Sequence, residues 1–171
     1  MSRIDDAVDL VHEQRYGERY WLRTLRRYLA FAALANLVWE FAHMPLYTLW
    51  ETGTTSEIIF AALHCTGGDI LITLSSVMLA LTLVGRPTWP AVGRWRVIVL
   101  TLLLGYAYTV FSEWLNTEIR EAWAYREAMP VIPVIDAGLS PVLQWLCIPV
   151  AAFWWAMRPA VTQLQKDPCH G

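Results

Sequence analysis

The chain has no CxxC pair, no glycine-rich phosphate loop, no Ser-His-Asp nucleophile arrangement and no internal repeat or low-complexity segment. Nothing in it points to nucleic acid as a partner. Its three cysteines, Cys65, Cys147 and Cys169, are widely separated, and two fall in apolar stretches. A disulfide framework is therefore not expected, and buried free thiols are. The N-terminus lacks the uninterrupted apolar core of a signal peptide, because Asp5, Asp6, Glu13, Arg15, Glu18 and Arg19 break it.

Apolar residues dominate instead. They make up 56% of the 171 residues, with ten Trp, and they come in blocks rather than at a periodic spacing. Four blocks reach the ~20 residues that a helix needs to cross ~30 Å of hydrocarbon. They cover residues 28–48, 58–84, 95–113 and 139–157. The pattern predicts an all-α integral membrane protein, a bundle of four transmembrane helices. Residues 1–27 read as a basic amphipathic lead-in that can lie on the membrane surface or in solvent, residues 28–158 as the membrane domain, and residues 159–171 as a tail. Arginines and a lysine flank the N-terminus, the second connection (Arg86, Arg94, Arg96) and the C-terminus (Arg158, Lys166), whereas the first connection carries only Glu51 and Glu57. The positive-inside rule then places both termini in the cytoplasm of a bacterial-type inner membrane. Trp21, Trp50, Trp89, Trp95, Trp114 and Trp154 stand near span ends, where amphipathic rings favour the interface. Residues 114–127 contain no Gly or Pro, so the third helix is expected to continue beyond the outer face until Pro130 and Pro133 stop it. The segment up to Gly138 then folds back as a candidate lid.

The first block is interrupted in its second half by Glu40 and His43, its only charged or titrating members besides Tyr. An acidic side chain near mid-bilayer costs about 2.5 to 3.5 kcal/mol on insertion scales, so such groups normally turn inward, pair and mark a function. Asn36, Glu40 and His43 are spaced to share one helix face. At ~1.5 Å per residue, Glu40 lies ~3 Å and His43 ~8 Å to the outer side of the first span's midpoint. Asp69 and His64 of the second span fall ~3 Å and ~10 Å to the same side. Glu113 and Gln144 belong to the outer halves of the third and fourth spans. All four helices thus send polar groups to the same half of the membrane. Thr66, Asp69, Thr73 and Ser76 form a polar stripe, as do Tyr106, Thr109, Glu113, Asn116 and Arg120. His64 lies off the first stripe unless Gly67-Gly68 bend the helix, and the same glycines could instead admit a close neighbour.

Three functions fit. In the first, Glu40, His43, Asp69 and Glu113 perform acid–base chemistry on a lipid-like apolar molecule, or bind it, with Asn36, Trp39, Tyr106, Trp114, Gln144 and Trp145 around it. Glu40 and Asp69 are expected to face each other and share a proton. In the second, Glu40-Phe41-Ala42-His43 is a Glu-x-x-His unit that, with His64, Asp69 and Glu113, holds a transition metal, although a full di-metal bundle uses two such units. Haem held by His43 and His64 is a variant. In the third, the chain is a non-catalytic membrane subunit or assembly factor that contacts a copy of itself or another membrane protein. His43-Met44-Pro45-Leu46, the mid-span Asp69, the terminal Glu113 and the segments Leu139-Ser140-Pro141-Val142-Leu143 and Ile148-Pro149 resemble the EXPERA family. These are four-span proteins that include emopamil-binding sterol isomerases and the sigma-two receptor. The likeness covers most of residues 28–157 and implies isomerase or sterol-binding activity.

Overall fold

A computed structural model describes residues 2–158, with side chains from Tyr20 onward. The tail at 159–171, with Lys166 and Cys169, lies outside the described residues. The elements are α1 (Ser2–His43), a 3-10 turn (Met44–Leu46), α2 (Leu49–Thr52), α3 (Thr55–Val84), α4 (Arg94–Trp114), a π-helical turn (Leu115–Ile119), β1 (Val131–Ile132), β2 (Ala137–Gly138) and α5 (Leu139–Ala156). Four stretches are long and apolar enough to cross a membrane: Tyr20–Leu46, Thr55–Val84, Arg94–Ile119 and Leu139–Ala156.

The ends of these helices follow from local chemistry. α1 stops at His43 rather than at residue 48, because Pro45 cannot donate and pushes the residue before it out of the helical region. α3 opens with a capping box. The Thr54 hydroxyl accepts from the Glu57 amide, and the Thr54 amide donates to Glu57 Oε2 at 2.8 Å. Between α3 and α4 the chain turns through Pro87 and Pro90. It enters α4 from Gly93, whose φ of 77° is a left-handed conformation that a side chain would oppose.

α1 packs against α3 and α5, and α4 packs against the same two, so the long helices form a ring. One end of the ring carries Arg23, Arg26, Arg27, Arg86, Arg94, Arg96 and Arg158 and is called the basic end here. The other is closed by the segment after α4 and is called the capped end. The apolar core fills the basic half, where Tyr28, Ala32, Val77, Ala80, Val97, Ile148, Ala152 and Phe153 are buried together. Tyr28 and Phe153 stack with centroids 4.1 Å apart, and Arg27 lies 4.5 Å over the Trp155 ring while donating to the Arg158 carbonyl. Where α4 passes α5, Gly105 lets the Trp145 ring come so close that a Cβ would stand 2.3 Å from it.

Two expectations are corrected. The third helix does not project as far as residue 127. It gives way to the π turn at Leu115, and Glu121 then turns left-handed at φ 49°. The lead-in, described from Ser2, is helix continuous with the first span. Gly67-Gly68 neither interrupt α3 nor admit a neighbour, for a Cβ at either position would meet nothing within 4 Å.

Candidate functional site

In the capped half the ring is hollow. A cavity of about 940 Å³ lies between α1, α3, α4 and α5, within the range of small-molecule sites. Its roof is the segment after α4, which is tied down on the α1–α2 connection. Tyr47 and Tyr125 form an isolated antiparallel bridge, the Thr48 amide donates to the Ala124 carbonyl at 3.0 Å, and the Arg126 amide donates to the Leu46 carbonyl at 2.9 Å. Arg126 also donates to the Pro45 carbonyl at 2.7 Å and pairs with Glu51. The two-residue strands β1 and β2 close the segment, and Leu139 donates to the Pro130 carbonyl as α5 begins.

The polar groups that line or underlie this cavity are joined. Gln144 of α5, 2% exposed, points its amide nitrogen at three acceptors: Asn36 Oδ1 at 2.9 Å, Glu40 Oε1 at 3.0 Å and Asp69 Oδ2 at 2.8 Å. The carboxyl groups of Glu40 and Asp69 thus converge on one nitrogen. His43 Nε2 meets the second Glu40 oxygen at 3.0 Å, and its Nδ1 meets Ser140 Oγ at 3.0 Å. Trp39 Nε1 donates to the same Ser140 oxygen at 3.2 Å. A Ser140 hydroxyl that donates to His43 Nδ1 places the imidazole hydrogen on Nε2, directed at Glu40. Tyr47 packs edge-on against the His43 ring at 5.2 Å. Across the cavity, the Tyr125 hydroxyl donates to Glu113 Oε2 and accepts from the Gly138 amide at 3.1 Å. Burial first, and the Glu113 charge second, hold the Tyr125 phenol above its ordinary pKa.

The predicted residues divide. Glu40, His43, Asp69, Glu113, Gln144 and Trp145 all line the cavity, and Asn36 supports it from behind. Trp39, Tyr106 and Trp114 do not line it. Trp39 acts through Ser140, Tyr106 is half-buried elsewhere, and Trp114 is exposed beside Phe111. His64 reaches only the rim, where it is exposed and stacked on Phe60 at 5.7 Å. With His64 there, the five-residue metal set does not assemble. Among the described residues no three His, Cys, Asp or Glu side chains meet in a metal-holding group. The haem variant fails on the same geometry, because both His43 nitrogens are engaged within the protein. Thr66 does not bridge helices either, since its hydroxyl donates to the Ala62 carbonyl of its own helix at 2.8 Å.

No protein-family model, curated protein or solved structure matches this chain. The site must be understood from its own atoms. Ser140, Tyr47 and Tyr125 belong to it without having been singled out in the sequence. Ser140 had a signal, as the one hydroxyl in the Leu139-Ser140-Pro141 opening of α5, whereas Tyr125 had none.

Proposed function

We propose that the chain is an integral membrane protein that binds a lipid-like apolar molecule in the capped half of its bundle and moves protons on it. The four long apolar helices support the membrane placement, and the distribution of arginine supports an orientation with the basic end in the cytoplasm. The resemblance to the EXPERA family points the same way.

The observation that carries the acid–base reading is the imbalance around Gln144. Its amide has two hydrogens, yet three acceptors converge on it. With the Glu40 and Asp69 oxygens converging on one nitrogen, a proton shared between the two carboxyl groups supplies the missing hydrogen and removes the repulsion of adjacent charges. The pair therefore holds one proton, ready to be given to a double bond of a bound molecule. The Glu40–Asp69 carboxylates are then left to take up the returning proton, while His43 Nε2–H and the Ser140 hydroxyl stay protonated and hold Glu40 in place by hydrogen bonds. A proton taken back from a neighbouring carbon closes the cycle. The net reaction is an isomerisation that uses no external reductant or oxidant.

Infrared spectroscopy tests the shared proton. A protonated-carboxyl band is expected at neutral pH in the unaltered protein and is expected to vanish in both Asp69→Asn and Glu40→Gln. Asp69→Asn should fold normally, because it removes an ionisable group from a costly place. Lipid extracts of membranes with and without the protein should differ in double-bond position for at least one species, and both variants should abolish the difference. Absence of the band together with full turnover by both variants would overturn the reading.

A further inference from the structure

The cavity is not closed on all sides, and the open side lies between α3 and α4. Its lining runs along α3 from Ala61 to Leu79, about 27 Å at 1.5 Å per residue, and so reaches well past the polar cluster. Along this extension several apolar residues face outward, while Ser76 is buried on the same lining. Leu71 is 67% exposed and Leu79 46% exposed on α3, and Tyr108 is 51% exposed on α4, yet each also lines the cavity. Ser75 lies between them, but its hydroxyl is turned back onto the Leu71 carbonyl at 2.7 Å, so it offers the gap little more than a methylene. Gly68 has open space where a side chain would stand, which widens the gap beside Asp69. The opening is therefore a slot along the flank of the bundle, polar at the level of Asp69 and apolar towards the basic end, where Leu79 flanks the buried Val77 and Ala80 of α3. Trp145, seated on Gly105, also lines it.

We infer that this slot is a lateral entrance and chain-binding groove for a single-chain membrane lipid with a neutral hydroxyl head. The inference rests on the proposed function and names its substrate class. Within a bilayer the slot opens to hydrocarbon, so its occupant arrives sideways from the lipid. The length along α3 suits an extended chain rather than a compact molecule. Its head meets Glu40, Asp69 and Glu113, which are acceptors when ionised and repel a phosphate or carboxylate, whereas Arg120, the arginine on the lining, is exposed at the roof. A hydroxyl can donate to them and remain uncharged. The tail then lies along Leu71 and Leu79.

The test uses a long-chain primary alcohol with a mid-chain diazirine, photolysed in nanodiscs containing the full chain, with labelled positions mapped by mass spectrometry. Labelling at Leu71, Leu79 and Tyr108 is expected to be saturable, falling at least tenfold under excess unlabelled alcohol. Labelling of the outward Leu83, Val99 and Leu146 should fall no more than in proportion to probe dilution. Ser75→Trp and, independently, Leu79→Trp should each remove the saturable part at least tenfold, both being exposed positions where a larger ring does not disturb the core. A long-chain carboxylic acid of equal length should compete at least tenfold less well. Uniform non-saturable labelling of all apolar faces would overturn the inference, as would saturable labelling that survives both Trp variants or an acid that competes equally. Slot labelling as expected, without the carboxyl band or turnover, would retire the acid–base reading and keep the groove. The reverse result would retire the groove alone.

Discussion

The two halves of this bundle are made from the same four helices and solve opposite problems. In the basic half, small and large apolar residues interlock, and Tyr28, Val77, Val97 and Phe153 are fully or almost fully buried. In the capped half, the same helices carry Asn36, Glu40, Asp69, Glu113 and Gln144 around an empty volume. A packed interior gains stability from each methylene that it excludes from solvent. A hollow polar interior forgoes that gain and must satisfy every buried polar atom by hydrogen bonds. The difference teaches that stability and chemistry are separated along the bundle axis.

The comparison predicts unequal costs for similar changes. The largest is expected for Phe153→Ala in the packed half, about 3–5 kcal/mol of destabilisation, measurable by denaturant unfolding in detergent or nanodiscs. A loss below about 1 kcal/mol would mean that the basic half is less tightly packed than its burial indicates. The sharper experiment places one substitution in both regions. Gly105→Ala drives a Cβ into the Trp145 ring and is expected to cost about 1–3 kcal/mol. Gly68→Ala meets nothing and should stabilise α3 by up to about 1 kcal/mol, through helix propensity alone. Equal signs for the two glycines would erase the distinction between the halves.

The smallest effect concerns pH at the roof. Tyr125 keeps its proton beyond the ordinary phenol range in the folded chain, so folding binds that proton more tightly than the unfolded chain does. Its contribution is fully present below the unfolded pKa and is lost as pH rises towards the folded one. The unaltered protein should therefore lose stability above about pH 10 slightly more steeply than Tyr125→Phe, which has no phenol to titrate there. Thermal unfolding across alkaline pH checks it, and parallel profiles would remove Tyr125 from the account.

Much of this was legible in the residues, and the illegible parts have identifiable causes. Block hydrophobicity located all four long helices, and depth arithmetic brought Glu40, Asp69 and Gln144 to the same half of the bundle, because helical rise is constant. The end of the third helix was not legible. Residues 114–127 contain neither Gly nor Pro, and the left-handed turn falls on Glu121, a residue that seldom takes one. Missing that turn hid the return of Tyr125 to Glu113 and Tyr47. The aromatic assignments divided for a related reason. Trp39, Trp114 and Trp145 were all named by type, and of these Trp145 lines the cavity, where the missing side chain at Gly105 on a different helix admits its ring. Contacts between helices depend on rotation about each axis, and one-dimensional spacing does not fix that rotation.

Gln144 has a mechanical consequence. A tube with a slit along its wall resists twisting far less than a closed tube, and the ring of helices is such a tube at its capped end. The Gln144 amide spans that section as a tie, fastening α5 to α1 through Asn36 and Glu40 and to α3 through Asp69. A molecule that captured either carboxylate would loosen the tie on that side. Occupancy of the kind proposed would thereby become a change in the torsional stiffness of the bundle, which the closed basic half would not share.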